Sequence, residues 1–570
     1  MKEQRSATQI LFGFLPEQTV DLKGGVWKVK EWRTPMLRSE VDDESLRREL
    51  IRQAMPWHNT GKDGGFVQNL LRGWGVRVYS VDKSNGVKVE PFPRLYMCKS
   101  CRRLHRTADA RCQCGAQGRL GQLPFVGYHD ACGNLKEPWI RPCTEHNQVR
   151  VNWPGTASSS EIVFDCPVCK KTLQRGFGAR RCDCGDGFLS FNVHRSSSVY
   201  TPKSVVIVNP PSEDKIRRIT QVGGPPKALD WVLEGMQTRT IDEAASLESL
   251  RRQLLDNGLP ESVVEDMLEK AKQSGSIRTD GPSSRISSAQ REEAENQSVT
   301  IALAFSESRQ RVEDLIAATE PSSELGALYR DQYRLSMKQA GIQSVDLVEK
   351  FPVMTGNFAY LRGDGSPEKS RLTPFRKGAS RDYVIYGEIA QTEALFVRLD
   401  PVKVLRWLVV RGHGLEATDD PLEARLRILG AARMPELDAS SALHGVGTDL
   451  LTLVHTFTHR FIRIAAVYAG IDRDALSELL VPLHLGFFVY AAARGDFVLG
   501  GLQAVFETEL DKLLHAFVHD DHRCPLDPGC IKSGGACMAC VHLGEPSCRF
   551  FNRFLDRSLL SGDAGYLFVS

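Results

Sequence analysis

Zinc takes four soft ligands in a tetrahedron, and two short cysteine turns brought together supply them. This sequence spaces its cysteines that way twice. Cys98-x2-Cys101 is followed after ten residues by Cys112-x-Cys114, and Cys166-x2-Cys169 after twelve residues by Cys182-x-Cys184. The two stretches share flanks, CKSC…RCQCG and CPVCK…RCDCG. Each is therefore expected to close on its own metal. A four-thiolate site has no open coordination position, so its role is structural rather than catalytic. A thioredoxin-like redox reading of either CxxC needs a strand-to-helix context, which the flanks do not provide.

Between them lies His129-x2-Cys132, ten residues, and then Cys143-x2-His146. Two imidazoles and two thiolates make a further candidate zinc site; the alternative is polar packing near Trp139. The carboxy-terminal stretch CPLDPGCIKSGGACMACVHLGEPSC offers five cysteines for four positions. Cys530, Cys537, Cys540 and Cys548 are expected as ligands, with Cys524 the spare. Gly534 and Gly535 let the backbone turn tightly there. An iron–sulfur centre would use the same ligand chemistry. The expected cofactor is Zn²⁺ in three sites, with the His129/Cys132/Cys143/His146 set as a fourth.

The cysteine count supports metal over disulfides. Ten of the fifteen lie between Cys98 and Cys184 and five between Cys524 and Cys548. An odd number leaves one unpaired under any full disulfide scheme, and a reducing compartment disfavours such bonds. The reading is cytoplasmic. The opening MKEQRSATQILFGFLP lacks the apolar core of a signal peptide. The longest apolar region, Val481 to Val498, is broken by Pro482, His484, Arg494 and Asp496. No membrane association is expected.

Net charge is only +3, from 73 basic and 70 acidic residues, so any basic surface is local. Both ribbons are locally basic. Part of that charge offsets the −2 of zinc with four thiolates. The remainder offers phosphate contacts, with Arg102, Arg103, Arg106, Lys170, Lys171, Arg175, Arg180 and Arg181 as candidates. Phe177 and Trp153 are candidates for base stacking, a core role being the alternative for each.

The elements that position these residues read as a multidomain α+β chain. Residues 1–97 form a β-rich region, with strands at Val76–Asp82 and Gly86–Pro93. Residues 98–200 carry tandem zinc ribbons. Residues 201–340 are largely helical, with Leu247, Leu250, Leu254 and Leu255 at helical spacing, a helix over Ser262–Lys272, an exposed linker over 273–293 and a helical pair over Ser298–Ala340. Residues 341–570 form a mixed α/β domain ending in the last cysteine cluster. It includes strands at Tyr383–Ile389 and Ala394–Leu399 and helices over Pro401–Arg411, Ala442–Gly470 and Leu502–Val518.

Motor and hydrolase signatures are missing. Asn59-Thr60-Gly61-Lys62-Asp63 lacks the earlier glycine and the hydroxyl of a P-loop. Asp242-Glu243-Ala244-Ala245 follows Ile241 rather than an apolar strand and reads as a helix start. His455 and His459 share a helix face, but Thr456 stands where a zinc peptidase needs Glu, so packing or hydrogen bonding is expected of them. The chain is read as a non-enzyme. The alternative is a metal-dependent nuclease using His129, Asp130, His146 or Asp520.

The carboxy-terminal residues GGAC with Cys540, then Cys548, Asn552, Leu555 and Asp556–Arg557 resemble the zinc-binding domain at the end of MrfA-type DNA helicases. So do the helix bearing His455 and His459 and the segment Tyr490–Leu502. The Tyr-Asp dipeptide and the first glycines usual in that segment are altered here. Over most of its length, through RSATQILFGFLP, FVGYHDACGNLKEPW and VEKFPVMTGNFAYLRG, the chain resembles the DrmB subunits of the bacterial DISARM anti-phage defence system. The resemblance implies a non-motor subunit that binds a superfamily-two helicase of the DrmA type, alongside a DNA methyltransferase and a phospholipase-D-like protein. It would assist the helicase in engaging DNA. An accessory role beside a repair helicase would use the same residues.

Overall fold

A computed structural model describes residues 10–569 except 12, 40, 82–85, 117–119, 154–158, 239–253, 256–257, 274–280, 379, 436–444, 493–498, 521, 545–546, 549, 551 and 563. Asp242–Ala245, Leu247, Leu250 and Asp521 fall outside the described residues. The fold is mixed α+β, and backbone contacts divide it into two units. The first is Met1–Pro210 with Met354–Ile389; the second is Pro211–Val353 with Ala390–Ser570. No helix among the described residues is long and apolar enough to cross a membrane.

The first unit contains four small three-stranded antiparallel sheets. The strands Thr19–Leu22 and Gly25–Trp32 meet through Lys23 and Gly24, both at positive φ. That is the two-residue turn whose twist matches a hairpin. The sheets of the cysteine-rich stretch are shorter still. Phe125–Tyr128 pairs with Leu135–Lys136 and Ser190–Val193, and Val163–Asp165 pairs with Arg150–Asn152 and Thr172–Arg175. Strands of two to four residues bury little apolar surface. Their core is a small cluster around Leu95, Phe125, Val151, Phe164 and Phe177. A core of that size needs staples.

The second unit is built on a large core. The helix Val446–Ala469 buries a broad face against the antiparallel ladder in which Gly486–Ala491 pairs with both Leu476–Val481 and Ala394–Arg398. The helix ends at Gly470, in the left-handed conformation glycine adopts without a Cβ penalty. The helix Pro401–Val410 begins on Asp400, whose carboxylate accepts from the Val402 and Lys403 N–H groups.

Two expectations are corrected here. Tyr383–Ile389 and Ala394–Leu399 form one strand, Tyr383–Leu399. The polar residues between them serve side-chain roles: Thr392 donates to Ala491 O, and Glu393 accepts from the N–H groups of Leu502 and Gln503 at the start of the helix Gly501–Ala504. The described part of the expected linker is ordered. Pro282–Arg285 forms a short turn, Ile286 is buried, and the helix Ser288–Ala304 follows. The Ser283 N–H reaches Asp230 Oδ1 at 2.9 Å, a contact invisible to hydrophobic periodicity.

His484 lies buried with Nε2 2.8 Å from Ser298 Oγ and 2.9 Å from Ala294 O. Burial, with the Arg398 and Arg425 cations nearby, pushes its pKa down to about 4. An unfolded histidine titrates near 6.5, so between these values only the unfolded chain binds the proton. This contribution to stability is complete above pH ~6.5 and is lost as pH falls toward ~4. The stability gap between wild type and His484→Gln should shrink by about 2 kcal/mol between pH 7 and 5. Urea titrations of both proteins at the two pH values check this, and an unchanged gap contradicts it.

Candidate metal centres

Four two-ligand turns in the first unit share one backbone geometry. In each, the ligands stand at positions i and i+3, the residue at i+4 has positive φ and returns its N–H to the carbonyl of i, and the N–H of i bonds the carbonyl of i+5. The left-handed residues are Arg102, Gly133, Asn147 and Lys170. The closing bonds are Cys98 N–H to Arg103 O, His129 to Asn134, Cys143 to Gln148 and Cys166 to Lys171. This is the zinc-knuckle turn, and the two mixed His/Cys pairs use it just as the CxxC pairs do. The N–H groups of Cys101 and Ser100 point at the Cys98 sulfur and lower its pKa to about 6, favouring the thiolate a metal needs.

Side chains from these turns converge in three groups, each with its four ligand atoms within 4.8 Å of one another. The first is Cys98, Cys101, Cys112 and Cys114, with the Cys98 and Cys114 sulfurs 3.7 Å apart and those of Cys101 and Cys112 3.3 Å apart. The other two are nested. His129 and Cys132 meet Cys182 and Cys184, while Cys143 and His146 meet Cys166 and Cys169 inside that loop. The second ribbon therefore does not close on itself: Cys166 and Cys169 lie in one group, Cys182 and Cys184 in the other. The cause is strand pairing. Arg150–Asn152 against Val163–Asp165 carries Cys166 to the Cys143 turn, and Phe125–Tyr128 against Ser190–Val193 holds the 182–184 turn beside His129.

Two groups occupy the second unit. Cys524, Cys530, Cys537 and Cys540 converge with sulfurs 3.5–3.7 Å apart. Gly534 and Gly535 turn the chain at positive φ, and a Cβ on Gly535 would stand 2.3 Å from Asp556 Oδ1. Cys524 thus takes the place expected of Cys548. Cys548 is instead drawn inward to His455, His459 and Glu478. Its sulfur lies 3.4 Å from His455 Nε2, and Glu478 Oε1 lies 3.2 Å from the same nitrogen. Burial opposes charge on His455, yet with no cation among the four side chains the Glu478 carboxylate and the Cys548 sulfur outweigh it and raise the pKa to about 10. All four side chains are at most 2% exposed, so no substrate reaches the sulfur. Glu478 was absent from the sequence reading. Its one signal is a carboxylate inside the apolar strand LSELLV.

The nuclease candidates of the first unit do not form one site: His129 and His146 sit in different groups, and the Asp130 carboxylate accepts its neighbour Ala131 N–H.

The basic candidates divide. Arg103 is spent internally on Gln148 Oε1 and the Cys101 sulfur. Arg102, Lys170, Lys171, Arg175 and Arg181 are exposed, Arg181 lying over the Phe188 ring at 5.9 Å. Arg106 and Arg180 line a cleft of about 1070 Å³ together with Arg94, Lys136, Glu137 and Trp139. The Trp139 indole is 56% exposed, with the Arg106 guanidinium 4.8 Å above it. Arg180 donates to Glu137 O, and Arg94 pairs with the Glu137 carboxylate. The two stacking candidates lie elsewhere. Phe177 is buried between Phe125, Phe164 and Phe191, and Trp153 packs on Phe125. Stacking on Phe177 is thereby excluded; Trp139 and Phe188 are exposed rings of this stretch, and Trp139 is the one that lines the cleft.

Residues 6–201, which contain the three groups of the first unit, match the family described as a domain of unknown function, DUF8724. The chain is also 29% identical over 126 residues to the DISARM protein DrmB of Bacillus paralicheniformis. That alignment covers 19% of this chain and spans only 22% of the length of that relative.

Proposed function

We propose that this protein is a zinc-stabilised, non-motor subunit of a bacterial anti-phage complex of the DISARM type. It binds a DrmA-like superfamily-two helicase and helps that motor engage DNA, itself contributing no catalytic centre. The similarity to a DISARM DrmB protein supports the setting. The observation that carries the DNA role is the cleft bearing Trp139, Arg94, Arg106 and Arg180 on a scaffold of candidate metal centres. An exposed indole backed by a guanidinium is a platform for an unpaired base, and the remaining arginines suit phosphates. The site favours single strands, because in a duplex the base faces are already stacked.

Two measurements test this reading. Co-purification with the helicase encoded beside it is the first; failure to associate, with helicase ATPase unchanged by the protein, overturns the partnership. Fluorescence anisotropy on single-stranded DNA is the second. Trp139→Ala should weaken binding by the complex about tenfold, the share of one stacked base. Arg94→Ala with Arg180→Ala should reduce the salt slope by about 1.4. Unaltered affinity and slope place the DNA elsewhere.

A further inference from the structure

The group around Cys548 carries an assignment independent of the DNA reading. His455 and His459 stand one helical turn apart, ring centroids 4.3 Å from each other. Their Nδ1 atoms face backbone carbonyls, Phe554 O at 3.2 Å and Val541 O at 2.7 Å. A carbonyl only accepts, so each Nδ1 carries the hydrogen and each neutral ring turns an Nε2 lone pair inward. Those two lone pairs meet the Glu478 carboxylate and the Cys548 sulfur. Four electron-pair donors converge where every side chain is at most 2% exposed, and their mutual repulsion calls for positive charge among them.

The candidates are two added protons or one cation, and the spacing separates them. Charge-assisted N–H···O bonds run about 2.7–2.9 Å. Here Nε2 of His455 is 3.2 Å from Glu478 Oε1, and Nε2 of His459 is 3.4 Å from Glu478 Oε2. Those are tetrahedron edges. Zinc bonds of about 2.0–2.3 Å to nitrogen, oxygen and sulfur place neighbouring ligand atoms roughly 3.3–3.6 Å apart, and the Cys548 sulfur stands 3.4 Å from His455 Nε2. Charge balance is also met. Zinc with one thiolate, one carboxylate and two neutral imidazoles is neutral overall, as full burial requires. The Cys524 group, at −2 with zinc, lies instead next to a polar recess lined by Arg460, Arg463, Arg523 and Arg557.

We propose that His455, His459, Glu478 and Cys548 bind a zinc ion, a second metal in this unit and separate from the Cys524/Cys530/Cys537/Cys540 site. It is closed and structural: it pins the helix Val446–Ala469 to the strand Leu476–Val481 and to the carboxy-terminal loop. The Val541 carbonyl that orients His459 belongs to the residue after Cys540, so the two sites brace one another.

The full-length protein loaded biosynthetically with cadmium tests this without any substitution. Its ¹¹³Cd spectrum should contain one resonance in the range of a single-sulfur, nitrogen- and oxygen-bound ion, apart from those of the three- and four-sulfur sites. A spectrum made only of sulfur-rich resonances overturns the assignment. Elemental analysis supplies the second arm. Cys548→Ser and Cys524→Ser should each lose one metal equivalent relative to wild type, and the double variant two. Folded Cys548→Ser protein with the wild-type metal content also overturns it.

Discussion

Cys166→Ser should release the metal held with Cys143, His146 and Cys169, and with it the sheet of Arg150–Asn152, Val163–Asp165 and Thr172–Arg175. Binding of a structural zinc is worth on the order of 10 kcal/mol, comparable to the whole stability of a domain. The aromatic cluster beneath that sheet is too small to replace it. The nested pairing makes the result specific. Amide exchange should rise across residues 143–175, and Cys143 and Cys169 should become open to alkylation. Cys182 and Cys184 should stay protected, because their partners His129 and Cys132 are anchored by Phe125–Tyr128 and Ser190–Val193. Alkylation mapped by mass spectrometry decides the matter. Freed Cys182 and Cys184 with Cys143 still protected would mean that the ribbon closes on itself and the nesting is wrong.

The same nesting marks how far the sequence could be read. The ligand turns were legible, because a two-residue gap between donors is a local property. Their partners were not. Eight donors from His129 to Cys184 fill two tetrahedra whether they pair in sequence order or nested, so counting cannot choose. The choice lies in strand register, Arg150 opposite Asp165 and Tyr128 opposite Ser190, and strands of three or four residues leave almost no periodic signal. The carboxy-terminal set failed for a related reason. Five cysteines for four places invited a choice by proximity, whereas His455 and Glu478, 93 and 70 residues from Cys548 in sequence, draw it away. His455 and His459 were seen to share a helix face, but nothing in the sequence placed a carboxylate opposite them.

Elements were read best where burial follows one period, as in Val446–Ala469. They were read worst where polar residues do structural work inside the fold, as with Thr392 and Glu393 in the long strand and Ser283 beside Asp230. The basic residues show the same limit. Composition gave eight candidates of equal standing, and only side-chain direction separates Arg103, turned to the Cys101 sulfur, from Arg106, stacked on an exposed ring.

Arg362 gives the second large effect, since it ties a metal turn to the body of the first unit. Its side chain is fully buried. Nε donates to Gly133 O at 2.8 Å, Nη1 to Val199 O and Nη2 to Glu17 O at 3.2 Å. The guanidinium lies over the Tyr360 ring at 4.9 Å and the Tyr200 ring at 5.7 Å. Gly133 is the left-handed residue that closes the His129–Cys132 turn, so this arginine positions two candidate ligands of the outer group. Arg362→Met keeps most of the volume and removes all three donors, leaving the buried Gly133 and Val199 carbonyls and the half-buried Glu17 carbonyl unpaired. The expected cost is about 3–5 kcal/mol, which for a unit of this size lowers its melting temperature by roughly 10 °C. Arg362→Lys should rescue little, because one ammonium lacks the planar fork that spans three carbonyls. Scanning calorimetry reads the first effect, and zinc release to a chromophoric chelator reads the second, since the outer metal should leave faster once its turn is untethered. A melting temperature within a degree of wild type, with unchanged release, would show that the carbonyls find other donors and that the turn is held by its metal alone.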